Sequence, residues 1–204
     1  MKTFKNTVIP KRYKKCALAI GNFDGVHKGH QEVFKQATKY SKKNKIKFGV
    51  LTFTPLPAMF FNQNIINYRL VSENTKLQLF KKYGVDFVMN IKFNKIFSKI
   101  TAEQFIKNII FKKINPQLIF VSNNFRFGNK RKGNVRLLKR FSKKYDYRLI
   151  NTLAFKHRGK VVSSTLIRKN LQNGHLDLAN TLLSRTWFID GLVKKGKKLG
   201  KKLG

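Results

Sequence analysis

Between Cys16 and Lys42 the chain runs from a short apolar stretch, CALAI, through the turn GNFDGVHKGH into the amphipathic segment QEVFKQATKYSK. An apolar run that stops at Gly21 reads as a buried strand, and Val33, Phe34, Ala37 and Tyr40 share one face of a helix running from His30 to Lys42. A strand, a glycine-rich turn and a helix in that order make a βα unit, which needs a sheet with helices packed on it. Two of the chain's four histidines, His27 and His30, sit on that turn.

The same alternation continues to the C-terminal region. KFGVLTFT (47–54) reads as a strand stopped by Pro55 and Pro57, Ser72 caps a helix ending near Tyr83 and Gly84, and VDFVMNIKF (85–93) is the next strand. Thr101 and Gln104 form a capping-box signature ahead of another helix, because each side chain can satisfy the other residue's free amide. QLIFV (117–121) is a buried strand, a polar loop covers 122–133, and VRLLKRFSKKY (135–145) is amphipathic. YRLINTLAF (147–155) and KVVSS (160–164) flank a turn at His157-Arg158-Gly159, and two short helices follow, one from Thr165 to about Gln172 and one over LDLANTLLS. The expected class is α/β with a mostly parallel sheet flanked by helices. Residues 1–186 form the expected domain, and 187–204, rich in Lys and Gly, read as a detached basic tail or the start of a second domain.

The single Cys16 excludes an internal disulfide, and no apolar run has the length of a signal peptide or a membrane span. A cytoplasmic protein without an obligate protein partner is expected. The formal charge of +37, from 45 Lys and Arg against 8 Asp and Glu, favours anionic partners such as nucleic acid. The lysine pairs are scattered among Asn, Ile and Phe, however, which reads as a bias of the whole sequence.

A strand that ends in a glycine turn and enters a helix brings free backbone amides and a positive helix end to one point, which suits phosphate. Gly21, Gly25 and Gly29 would let a ligand approach the backbone. His27 and His30 bracket Gly29 and can donate to one phosphate, stabilising charge on its oxygens during displacement. A protein-held metal is not expected, since neither cysteines nor clustered carboxylates are at hand to complete a ligand set.

GNFDGVHKGHQ resembles the signature of the HxGH nucleotidyltransferase superfamily and, more narrowly, of the bacterial bifunctional riboflavin kinase/FMN adenylyltransferase family, the bacterial FAD synthetases. The resemblance spans about residues 15–193. VSSTLIR (162–168) is similar to that family's V-S-S-T-x-I-R. Read from chemistry, Ser163, Ser164 and Thr165 are hydroxyls at a helix start with Arg168 one turn on, an anion clamp or merely an N-cap and a surface arginine. NNFRFG (123–128) is similar to a family loop that shapes the flavin and nucleotide site. There Asn124 offers an amide, Arg126 a cation, and Phe125 and Phe127 either stacking faces or core. LANTLLSR (178–185) matches a short helix that serves packing. Two departures stand out: the family commonly reads TFDPHP where this chain has TFTPLP, so Thr54 replaces an acid and Leu56 a histidine. The kinase domain's P-T-A-N motif is absent, so riboflavin kinase activity is not expected.

The resemblance implies a Rossmann-like nucleotidyltransferase fold and a transferase of FAD biosynthesis that moves AMP from ATP to FMN, releasing pyrophosphate. It places ATP on Gly21, Asn22, Phe23, Asp24, His27, Gly29, His30, Ser163, Ser164, Thr165 and Arg168, with His27, His30 and Arg168 catalytic. The flavin falls to Asn124, Phe125, Arg126 and Phe127. Mg²⁺ would bridge phosphate oxygens with few protein ligands, and Asp24 either touches that ion or the ribose or bonds its own turn. The alternatives are a nucleic-acid-binding protein or inactive remnant on the same scaffold, and a sister transferase acting on phosphopantetheine or an alcohol phosphate.

Overall fold

The computed structural model describes residues 1–65 and 68–191. In chain order the elements are β1 (Lys2–Phe4), β2 (Ala17–Ile20), α1 (Lys28–Lys43), β3 (Phe48–Thr54), α2 (Pro57–Phe61), α3 (Glu73–Lys82), β4 (Phe87–Lys92), α4 (Lys95–Ser98) and α5 (Ala102–Gln104). A π-helix (Phe105–Ile114) continues α5, followed by β5 (Leu118–Ser122), β6 (Arg126–Phe127), β7 (Gly133–Asn134), α6 (Val135–Lys144), β8 (Arg148–Thr152), β9 (Lys156–His157), β10 (Lys160–Val161), α7 (Ser164–Gln172) and α8 (Leu176–Leu183).

Six strands make one parallel sheet in the order β1-β4-β3-β2-β5-β8. β2 is buried along its whole length, and β3 and β5 up to their last residue, the continuous apolar reading of strands covered on both faces. Alternate residues part to opposite sides. Leu18 and Ile20 pack with Ile106, Ile110 and Leu138 from the π-helix and α6, while Ala17 and Ala19 pack with Phe34 of α1 and Phe80 of α3. β2, β3 and β4 step one way across the sheet and β5 and β8 the other, so the order reverses between β2 and β5. The crevice at the carboxyl ends of those two strands is where an open α/β sheet takes its ligand. Both glycine-containing motifs, GNFDGVHKGH and NNFRFG, leave the sheet there.

The expected strands and helices form, and the short helices α2 and α4 and several other features go beyond them. β1 joins the sheet edge with Lys2 opposite Phe87, a strand too short to leave a periodic signal. The capping box of Thr101 and Gln104 closes with both bonds, at 3.0 and 3.2 Å. The helix behind it is then wound as a π-helix, its last turn closed by Asn115 N–H donating to Ile110 O at 2.7 Å. Its buried residues are Phe105, Ile106, Ile109, Ile110 and Ile114. The expected loop 122–133 contains part of a small antiparallel hairpin of β6 and β7.

α7 and α8 form a third cluster in which Ile167, Leu182 and Leu183 pack with Leu70 and Val162. Past α8 the chain stays attached: the Trp187 indole donates to Leu70 O at 2.9 Å, and the Asp190 carboxylate accepts from the Ser72 and Thr75 hydroxyls. The expected tail from residue 187 therefore begins with bonded residues, and its lysine-rich part, 192–204, lies outside the described residues. Among the described residues no helix is long and apolar enough to cross a membrane.

Candidate active site

The turn after β2 starts at a fixed point, because Gly21 N–H donates to Leu51 O of β3 at 3.1 Å. Asn22 is exposed, and its carbonyl accepts from the Thr52 hydroxyl at 3.1 Å. Phe23 adopts the left-handed conformation at φ 49° and folds its ring inward onto Phe34. Gly25 follows at φ 77°, where a Cβ would also come within 2.6 Å of Leu70 Cδ1.

His27 precedes α1 with extended backbone and His30 lies in its first turn. Their rings stack, centroids 3.6 Å apart and planes 22° from parallel, with Phe23 edge-on to His30 at 5.2 Å. Nδ1 of each ring is buried and makes no hydrogen bond among the described residues. Burial pushes the His27 imidazole from its ordinary 6.5 down to about 4, helped by the nearby charges of Arg185 and Arg168. Burial, then the His27 ring, holds His30 well below the usual range. Both rings are neutral at pH 7, so each offers one N–H donor and one lone pair rather than a positive charge. α1, 16 residues long, begins with no side-chain cap and no acidic residue in its first turn. Its positive end is therefore left for another anion.

Each of the three glycines also makes room for one of the protein's own side chains. A Cβ on Gly29 would press on His27 Cε1 at 3.2 Å, one on Gly21 would meet the Phe23 ring at 3.1 Å, and Gly25 makes way for Leu70.

The serine-rich motif closes on the same turn. Ser163 caps α7 by accepting from Leu166 N–H at 3.1 Å, and Ser164 Oγ donates to Asp24 O at 2.9 Å. Arg168 donates from Nη2 to Asp24 Oδ2 and from Nε to Tyr68 O, both at 2.7 Å, with its guanidinium 3.7 Å from the centre of the Tyr68 ring. Leu70 N–H completes the set at 3.1 Å from Asp24 Oδ1. Asp24 thus locks the turn to α7 and to the 68–70 segment, and among the described residues its carboxylate makes no bond to its own turn. Burial raises its carboxyl pKa, and the charge of Arg168 draws it back down. Ser163, Ser164 and Arg168 are accordingly occupied by protein groups, while Thr165 is exposed and makes no side-chain hydrogen bond among the described residues.

On the adjoining loop Asn124 is exposed and accepts from Ser122 Oγ at 2.9 Å, and Arg126 is exposed. Phe127 belongs to the core against Phe105, while Phe125 is half-buried and stacks on Phe127 at 5.4 Å. Past the ends of β3 and β4, Phe60, Phe61, Phe93 and Phe97 pack in contact with one another, and Phe61 is 70% exposed. Leu56, where a histidine was the family expectation, is buried at 2% exposure.

Sequence reasoning missed a second circle of residues. Arg185 Nη2 donates to Gly25 O at 2.7 Å, and Gln31 Nε2 donates to both Val26 O and Leu183 O. Together they fasten α8 to the turn, so LANTLLSR does more than pack. The one available signal was a cation directly following a helix end. Glu73, Arg69 and Lys76 form a charged group next to the turn, and their i,i+4 and i,i+3 spacing was the signal that could have found them.

A bifunctional riboflavin kinase/FMN adenylyltransferase of Buchnera aphidicola subsp. Schizaphis graminum is 41% identical over 92% of this chain and 61% of its own length. The protein of that name from Escherichia coli K12 is 33% identical over 93% of this chain and 60% of its own. The chain thus spans about 60% of the length of the curated relatives it matches. Among solved structures, a protein named as a macrolide-efflux protein from Streptococcus pneumoniae superposes with TM-score 0.81 at 25% identity, covering 98% of this chain and 65% of that one. A Francisella tularensis pantoate-beta-alanine ligase, complexed with beta-gamma ATP and beta-alanine, shares the fold at TM-score 0.53 and 16% identity, over 100% of this chain and 85% of its own. The model of FAD synthetase matches residues 9–166, which include the histidine turn and the start of the serine-rich helix, and the chain belongs to that family.

Proposed function

We propose that this chain is an FMN adenylyltransferase: a terminal phosphate oxygen of FMN attacks the α-phosphorus of ATP in line, giving FAD and pyrophosphate. The observation that carries the reading is the stacked, neutral His27–His30 pair at the open start of α1, held by a turn that Asp24 and Arg168 lock in place. Charge builds on the α-phosphoryl oxygens as the new bond forms, and N–H donors fixed in advance stabilise it without reorganisation. Neutral imidazoles suit this role, because they donate without needing protonation at pH 7. Thr165, the free amides of α1 and the remaining guanidinium donors of Arg168 bind the outer phosphates. The half-buried rings of Phe125 and Phe93 and the exposed ring of Phe61, beyond β5, β4 and β3, offer apolar faces to the flavin ring.

Magnesium is expected with ATP, but the protein groups do not form a site for a resident ion. No three His, Cys, Asp or Glu side chains converge among the described residues, and the Asp24 carboxylate is spent on Arg168 and Leu70. Both substrates are soluble nucleotides, and we place the reaction in the cytoplasm.

The test is FAD formation from FMN and ATP, followed by chromatography of the flavins, with wild type and His30→Ala. The wild type should make FAD, and the variant should lose roughly 10²-fold in turnover with its circular dichroism spectrum retained. Near-normal turnover in a folded His30→Ala removes the imidazole pair from the mechanism.

A further inference from the structure

At the carboxyl ends of β3 and β4 one carboxylate gathers four neighbours. Glu73 Oε2 accepts from Arg69 and lies 3.2 Å from Thr54 Oγ1; Oε1 accepts from Asn90 Nδ2 at 2.8 Å and lies 3.3 Å from Lys76 Nζ. Lys76 is only 2% exposed, so its ammonium depends on that carboxylate for compensation. The Thr54 hydroxyl also lies 2.8 Å from Asn90 Oδ1, so its single proton faces two acceptors.

The group reaches the active site through the backbone. Arg69, held by Glu73, is flanked by Tyr68, whose carbonyl accepts from Arg168, and by Leu70, whose N–H donates to Asp24. The anchor on Arg69 therefore acts, with the Trp187 bond to Leu70 O, on the segment that makes two of the bonds locking the Asp24 turn. The Glu73 carboxylate also approaches the Thr54 side chain, at the end of β3, from α3.

We propose that the Glu73 carboxylate is the positioning group for the 68–70 segment and so for the nucleotide turn, and that a carboxylate placed at the touching position 54 can serve the same cations. The inference rests on the nucleotide-binding reading above. What matters is the charge of Glu73 and not its bulk, because a neutral isostere leaves Arg69 and the buried Lys76 facing each other without a counter-charge.

The experiment compares wild type with E73Q, T54D and the double variant T54D/E73Q. ATP affinity is read by calorimetry without flavin, kcat and KM by FAD formation, and folding by thermal melting without ligand. E73Q should weaken ATP binding about 10-fold, with KM rising and kcat falling much less. T54D alone should also weaken binding, since two carboxylates then compete for the same cations. T54D/E73Q should bind ATP within about 3-fold of wild type, the non-additivity expected of groups that share one role.

Wild-type ATP affinity in E73Q overturns the proposal, as does a folded double variant no better than E73Q. If E73Q does not fold, a double variant that folds and binds ATP supports the proposal and one that stays unfolded ends it. A wild type that binds ATP but makes no FAD overturns the adenylyltransfer reading and leaves the binding comparison intact; a wild type that binds no ATP overturns both.

Discussion

Mild acid should weaken the fold through the stacked imidazoles, and the size of the effect follows from their burial. An unfolded histidine takes up its proton near pH 6.5, whereas folded His27 resists until about pH 4. Between those values the unfolded chain binds a proton that the folded chain does not, so unfolding becomes easier as pH falls from 6.5 towards 4. A tenfold difference in proton affinity between the two states is worth about 1.4 kcal/mol. On that scale His27 alone accounts for about 3 kcal/mol in full, of which about 2 kcal/mol is lost between pH 7 and pH 5. His30, displaced in the same direction, adds to the loss. The assay is urea denaturation of wild type and His27→Gln at pH 7 and pH 5. The difference between the two proteins cancels the groups they share, including Asp24, whose raised carboxyl acts with the opposite sign. Wild type should lose about 2 kcal/mol more than the variant over that interval. Equal losses would mean that His27 titrates normally when folded, and the burial held responsible for its lowered pKa would fall with that result.

Two further substitutions probe the turn. Arg168→Ala leaves the Asp24 carboxylate buried without its cation and should cost about 3 kcal/mol of stability by chemical denaturation; a loss under about 1 kcal/mol would show that the lock is not a stabilising pair. Gly29→Ala puts a methyl 3.2 Å from His27 Cε1 at a helical position that otherwise favours alanine. Turnover should drop about 10-fold while the melting temperature holds or rises, and unchanged turnover would refute the idea that Gly29 exists to seat the His27 ring.

Much of the secondary structure was legible in the sequence because its causes are local. The apolar runs of β2, β3 and β5, the caps at Ser72 and Thr101, and the spacing of Val33, Phe34 and Ala37 on α1 each depend on residues a few positions apart. The histidine turn was legible for the same reason: strand, glycines and imidazoles are neighbours along the chain. β1 was not, since three residues carry no period and gain their place only by pairing with β4. Phe127 looked equally suited to ligand and core until the hairpin packed it on Phe105.

By itself, then, the sequence determined an alternating α/β chain and put two histidines at the start of a helix. The tertiary structure alone decided what each polar group of the site bonds to: Asp24 with Arg168, 144 positions away, Arg185 with Gly25, 160 away, and Glu73 with Thr54, 19 away on another element. Local patterns dictate which way a side chain points along its own helix or strand. Its partner across the molecule depends on how the sheet orders its strands and where α3, α7 and α8 dock, and that is set by the shape of the whole core.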